Sequence, residues 1–182
     1  MTRPALVVVC GAPGTGKTTL ARRLAQDLGL ILIAKDDLKE ALADEHGVGD
    51  RERSRELGRM AYDELYAKAA ALLAAGTGVV LEANFYRDPS EQHLRSLAAR
   101  GSAVVIECVC DADLRRRRFT ERGDRGERHA VHLDAEILAN EWTDELSTFA
   151  IDIGGPRLVV DTTRGYEPPL GSIVAFARGS KR

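Results

Sequence analysis

The chain of 182 residues has only three cysteines and six prolines, and aromatic residues make up 5 %. So few cysteines exclude a disulfide-stapled scaffold. Cys10, Cys108 and Cys110 all lie in apolar, strand-like runs, which predicts buried free thiols and a reducing, cytoplasmic setting. No apolar stretch approaches the ~20 residues that span a bilayer, so no membrane partner is expected. The apolar run after Arg3 is too short for a signal peptide. Neither sign of charge dominates, since 26 Lys and Arg face 28 Asp and Glu. That balance excludes coating of nucleic acid by the whole surface but leaves room for a local basic groove. Repeats, low-complexity tracts and linkers are also lacking, so residues 1–182 are read as one domain.

What is present centres on Gly11-Ala12-Pro13-Gly14-Thr15-Gly16-Lys17-Thr18, a match to G-x-x-x-x-G-K-[ST]. Ala5–Cys10 before it is the apolar, Val-rich run expected of a buried parallel strand. Leu20, Leu24 and Leu28 after it recur at helical spacing. The pattern therefore joins a strand to a helix N-terminus, where glycines turn backbone N–H groups towards an anion that the helix dipole favours. By average residue usage, a chance match in a chain of this length occurs at roughly one per cent or less. The stretch predicts binding of a nucleoside triphosphate, with Lys17 on the β/γ-phosphates and the Thr18 hydroxyl on Mg²⁺.

Strand-like and helix-like segments then alternate, which points to an α/β fold with a parallel sheet. Strands are read at 5–10, 30–33, 78–83, 103–110 and 158–160, with Gly29 ending the first helix. Asp88-Pro89 reads as a helix cap with Pro at the first helical position. Leu138, Trp142, Leu146 and Phe149 predict one helix running on from Asp134.

Ligands of such sheets bind beyond the carboxyl ends of the strands, which collects a short list of candidates. Asp36 suits the carboxylate that orients or deprotonates an attacking hydroxyl, although Asp36 or Asp37 could instead cap the next helix. Glu82 ends an apolar run, where a carboxylate needs compensation; hydrated Mg²⁺ or a salt bridge would supply it. Lys39, Asn84 and Arg87 are candidates for acceptor binding. Seven arginines lie between Leu114 and Arg128, and Arg118 and Arg122 share a helical face leading into a Gly-containing loop. A flap of this kind can close over ATP and exclude water. His129 and His132 could pair on zinc or contact the substrate or flap.

With these motifs in hand, the chain resembles the small P-loop kinases of the polynucleotide kinase, zeta-toxin and chloramphenicol phosphotransferase type over nearly its whole length. The polynucleotide kinase loop G-x-P-G-[ST]-G-K-[ST]-T is matched by Gly11–Thr19, which adds Thr19 to the nucleotide site. Their R-D-D-x-R motif, whose first Asp is the general base, corresponds to Lys35-Asp36-Asp37-Leu38-Lys39. Their D-x-N corresponds to Glu82-Ala83-Asn84, and their lid motif R-x-x-x-R-G to Arg118–Gly123. The resemblance implies Arg118 near the adenine and Arg122 near the phosphates. It also implies a three-layer nucleoside-monophosphate-kinase fold, with a five-stranded parallel sheet in the order 2-3-1-4-5 and a helical lid over about 115–133. Lys39 in place of Arg, and the run Gly126–His132, depart from the polynucleotide kinase pattern.

The expected function is ATP- and Mg²⁺-dependent transfer of the γ-phosphoryl group to a hydroxyl of a small molecule or nucleotide. A polynucleotide 5′-hydroxyl kinase and a partner-regulating NTPase switch are the rivals. A nucleic-acid partner is not favoured, because Glu121, Asp124 and Glu127 interrupt the arginine run. Nothing in the sequence fixes the oligomeric state.

Overall fold

The computed structural model describes residues 3–124, 128–143 and 146–179. Five parallel strands form one sheet in the order β2-β3-β1-β4-β5. They are β1 (Ala5–Cys10), β2 (Ile31–Ala34), β3 (Val79–Glu82), β4 (Ser102–Val109) and β5 (Arg157–Asp161). This is the order expected from the family resemblance. The central β1 is buried at all six positions, as its unbroken apolar sequence requires of a strand covered on both faces.

Successive residues of β1 point to opposite faces and so define two cores. Leu6, Val8 and Cys10 pack with Leu65, Ala69 and Leu73 of α3 (Arg51–Ala74) and with Leu94 and Leu97 of α4 (Pro89–Ala98). Val7 and Val9 pack on the other face with Leu20 and Leu24 of α1 (Lys17–Leu28) and Ile173 and Ala177 of α7 (Leu170–Gly179). Gly29 closes α1 in the left-handed conformation, at φ 62°. α2 (Lys35–His46) starts directly from the end of β2 and packs against α3. Its first turn therefore stands at the carboxyl edge of the sheet.

The lid begins with α5 (Ala112–Asp124), followed by a 3₁₀ turn at Ala130–His132 and the short α6 (Asp134–Asn140). Residues 125–127 of the expected flap lie outside the described residues, as do 144 and 145. Two sequence expectations are corrected here. The helix from Asp134 does not run on to Phe149: it stops at Asn140, and Ser147–Phe149 forms a separate 3₁₀ turn. Glu141 leaves the helical conformation at φ −127°, and its carboxylate is held by Arg51 and Arg55 of α3. Trp142 instead packs on Phe119 and lies 4.4 Å below the Arg115 guanidinium. Asp88 stands at the start of α4 but makes no side-chain capping bond. Its φ of 64° is not the extended backbone from which a cap side chain reaches forward.

The three thiols are free, with Cys10 and Cys108 buried and Cys110 half-buried. Among the described residues no helix is long and apolar enough to cross a membrane.

Candidate active site

The phosphate loop occupies the turn from β1 into α1, and it is built from tight approaches. Gly14 has φ 84°, and a Cβ there would sit 2.5 Å from the Arg115 carbonyl oxygen at the root of the lid. Only glycine fits that position. The Thr15 hydroxyl donates to the Ala12 carbonyl at 2.9 Å, and the Thr162 hydroxyl donates to the Thr15 carbonyl at 2.8 Å. Thr162, just past β5, thus clamps the loop from the far side. Gly11, Ala12, Pro13 and Gly16 complete the turn, while Thr19 lies exposed on the first turn of α1.

Lys17 is buried, and its ammonium donates to the Ala12 carbonyl at 3.4 Å and faces the Glu82 carboxylate at 3.9 Å. Burial pushes this ammonium down, and Glu82 and Asp36 pull it back up. Glu82, 3 % exposed at the end of β3, is raised by burial and lowered in part by Lys17. The Thr18 hydroxyl donates to the same carboxylate. A carboxylate so buried, with its cation beyond ordinary hydrogen-bond reach, keeps capacity for another positive ligand. Thr18 and Glu82 therefore fit Mg²⁺, which takes few protein ligands and fills its shell with water and phosphate oxygens. Among the described residues no cluster of three or more His, Cys, Asp or Glu offers an all-protein metal cage. His129 and His132 turn to different carboxylates: their Nε2 atoms meet Asp44 at 3.2 Å and Glu40 at 2.7 Å.

Asp36 sits in the first turn of α2. The Lys35 ammonium donates to one of its oxygens and Arg128 to the other, each at 2.8 Å. Burial alone would raise this carboxyl, but the two cations hold it well below the usual carboxylate range. Asp37 points elsewhere, towards Arg22 at 3.8 Å, with most of its side chain in solvent. Of the two neighbours, the geometry brings Asp36 to the cleft.

These groups surround a cavity of about 330 Å³ lined by Lys17, Thr18, Asp36, Lys39, Asn84 and Arg122, among others. Lys39 is buried and donates to the Ser54 hydroxyl at 2.7 Å and to the Val131 carbonyl at 3.2 Å, tying α2, α3 and the lid together. Burial brings its ammonium down to about 8. The side-chain oxygen of Asn84 and Nε of Arg122 are buried without a partner among the described residues. Burial and the neighbouring Arg128 lower the affinity of the Arg122 guanidinium for its proton. An unsatisfied donor and an unsatisfied acceptor on one cavity are costly unless a ligand meets them.

Arg118 lies outside this cavity. It donates to the Thr162 hydroxyl at 3.2 Å and to the Thr162 carbonyl at 2.9 Å, beside Gly16 on the other flank of the loop. Arg87 is not brought to the site: it is exposed, and its backbone N–H donates to the Thr148 carbonyl at 2.7 Å.

Sequence reasoning named no residue on the wall that α3 contributes, where Arg51, Ser54, Arg55, Gly58, Arg59 and Tyr62 line the cavity. A signal existed in the spacing of Arg51, Arg55 and Arg59 at every fourth residue, which places them on one helical face. Sequence alone does not say which way that face points.

Residues 6–146 match the family model described as an AAA domain. An uncharacterised protein of Mycobacterium tuberculosis is 34 % identical over 161 residues, covering 84 % of this chain. The chain spans about a third of that relative's length, 32 %. A cytidylate kinase of Aeropyrum pernix is 29 % identical over 164 residues, 86 % of this chain and 88 % of that enzyme. The crystal structure of a candidate kinase from Chloroflexus aurantiacus superposes with a TM-score of 0.84 at 34 % identity, covering 99 % of this chain and 100 % of that one. The narrower polynucleotide kinase and zeta-toxin group is not singled out by these relatives. The chain belongs to the AAA domain family, in the form of a kinase-like, nucleotide-binding P-loop domain.

Proposed function

We propose that the domain is an ATP- and Mg²⁺-dependent kinase that transfers the γ-phosphoryl group to a hydroxyl of a small molecule or nucleotide. The observation that supports the reading is that Asp36, Lys17 and Thr18 line one cavity of about 330 Å³ together with Lys39 and Asn84. A bare NTPase needs no such cavity.

The loop amides and Lys17 hold the β/γ-phosphates, and Arg118 covers the nucleotide's other flank. Thr18 and Glu82 would hold Mg²⁺, which would supply neutralisation of the phosphate charge. Asp36, ionised at neutral pH, accepts a hydrogen bond from the acceptor hydroxyl and takes its proton as the new P–O bond forms. The bond from the γ-phosphorus to the bridging oxygen breaks, and ADP leaves with the electron pair. Arg122 gives its free Nε–H to the transferring oxygens, where negative charge is spread. The lid excludes water while this happens.

The test is ADP release by the purified protein with Mg²⁺ and ATP against nucleosides, nucleotides, sugars and 5′-hydroxyl oligonucleotides. Acceptor-dependent release, with one phosphoryl group appearing on the acceptor per ADP, is expected. Slow hydrolysis indifferent to every acceptor would turn the reading towards an NTPase switch.

A further inference from the structure

We propose that the acceptor is a small hydroxyl compound carrying its own anionic group, a phosphate monoester or a carboxylate, and that Arg55 and Arg59 of α3 bind that group over Gly58. The inference rests on the kinase reading and names the substrate class of the same cavity.

The first observation is charge. Eight of the nineteen residues lining the cavity are Lys or Arg, against one carboxylate, Asp36. Most of these cations already have work within the chain. Lys35 and Arg128 pair with Asp36, and Lys39 bonds Ser54 and Val131. Lys17 and Arg122 belong to the γ-phosphate in the kinase reading. Arg51 is held in a two-pronged pair by the Glu141 carboxylate, and Arg55 shares one oxygen of that carboxylate at 3.0 Å. One carboxylate thus serves two guanidiniums, and Arg59 has no acidic partner among the described residues. Positive charge is left over on the α3 wall, in the planar form that binds phosphate and carboxylate by parallel hydrogen bonds.

An exposed arginine is by itself only a solvated charge. What separates Arg59 from such a residue is the second observation, at Gly58. Glycine is disfavoured inside a helix, and Gly58 stands in the middle of the 24-residue α3. Its backbone is not in the left-handed region, and a Cβ built on it meets nothing within 4 Å. Neither conformation nor packing within the chain asks for glycine there. Gly58 faces the cavity between Arg55 and Arg59, so the missing side chain leaves space for a ligand to approach the helix backbone.

The remaining wall suits the rest of such a molecule. Tyr62 and Tyr86 also line the cavity, and the unpartnered Asn84 oxygen can accept from a hydroxyl. An organic body with an anion at the α3 end and a hydroxyl at the Asp36 end meets each of these groups.

The test uses the protein saturated with Mg²⁺ and a non-hydrolysable ATP analogue, so that the phosphate loop is filled. Calorimetry with inorganic phosphate, and separately with malonate, reads the subsite directly. One anion per chain is expected, with the better probe telling phosphate monoester from carboxylate. Arg59→Gln and Gly58→Ala each weaken that binding about tenfold. Gly58→Ala does so while raising Tm by about 2–4 °C, because alanine is the better helix former. A gain in stability with a loss of affinity is not what a packing role would give. No second anion, or wild-type affinity in both variants, overturns the proposal. Turnover with matched pairs, a neutral sugar or nucleoside against its phosphate or acid, separates the two readings. Preference for the neutral member, or for a 5′-hydroxyl oligonucleotide over every small acceptor, overturns this inference and leaves the kinase standing. Anion binding without transfer to any acceptor does the reverse.

Discussion

The two walls of the cleft hold their charges by different means. On the nucleotide wall the backbone does most of the work: Gly14 touches Arg115, Thr162 clamps Thr15, and one buried lysine faces one buried carboxylate. On the acceptor wall side chains from three distant segments interlock. Arg128 of the lid reaches Asp36 of α2, Lys39 of α2 reaches Ser54 of α3 and Val131 of the lid, and Arg51 of α3 reaches Glu141. Backbone cradles tolerate little change, because every approach is already at contact. Ion-pair walls can be altered one residue at a time, with graded effects. The nucleotide wall should therefore fail abruptly, and the acceptor wall by degrees.

The largest effect is expected on the nucleotide wall. Lys17→Met removes the ammonium that meets the transferring phosphates, and should lower kcat/KM by about 10²–10³-fold. Gly14→Ala forces a side chain against the Arg115 carbonyl and should abolish nucleotide binding in a titration with ATP. If either variant turned over ATP with an acceptor as well as the wild type, the contrast between the walls would be lost.

A smaller, pH-dependent effect is expected from the lid. Arg128→Gln removes one of the two cations that hold the Asp36 carboxyl down. Its proton affinity should rise, and the acid limb of the rate profile should move to higher pH. An acid limb that stays where it is would mean that Lys35 alone sets the ionisation of Asp36.

Lys39 sharpens the comparison through opposite signs. Its ammonium is lowered to about 8, beside Lys35, Asp36, Arg51 and Arg128. In the unfolded chain it titrates at the ordinary lysine value, so between about 8 and 10.5 the unfolded state binds more protons. Stability from this group should rise across that window and be lost as pH falls through about 8. If the charge of Lys39 serves the acceptor, turnover should instead fall as pH rises through about 8. Lys39→Met should flatten both trends, read by thermal melts and by initial rates. His132 acts at the other end of the scale. Burial lowers it to about 3, so its neutral ring donates to Glu40, and stability from it should be lost as pH drops from 6.5 towards 3.

The smallest effect belongs to a glycine outside both walls. Gly29→Ala places a side chain at φ 62°, with nothing around it. It should cost about 1 kcal/mol, a Tm drop of about 2–4 °C, and leave kcat/KM alone.

The same difference explains what the sequence disclosed. The nucleotide wall was legible because a backbone cradle needs glycines and a lysine at fixed spacing within a short stretch, Gly11–Thr18. Alternation of strand-like and helix-like segments pointed to the parallel sheet, the family resemblance implied the strand order, and the structure agrees with both. On the acceptor wall, Asp36 and Asn84 were legible because each follows a strand end, and Lys39 through the family resemblance. Arg87 also follows a strand, yet the chain turns at Asp88 and carries it outwards. Arg59 and Gly58 lie far from any strand end and were missed. Their meaning depends on which face α3 turns to the cleft, and its apolar partners Leu57, Ala61 and Leu65 decide that only in three dimensions. The helix read through Trp142 to Phe149 failed for a related reason. Its apolar spacing is real, but Glu141 is drawn out of the helix by arginines 86 and 90 residues away in sequence.

The central claim is that Asp36 orients and deprotonates an acceptor. The most direct test is Asp36→Asn under single-turnover conditions with bound Mg²⁺ and ATP and an acceptor that the wild type uses. The account expects ATP binding to be retained and phosphoryl transfer to the acceptor to fall by about 10²–10⁴-fold. Transfer at the wild-type rate would contradict it and remove Asp36 from the chemistry.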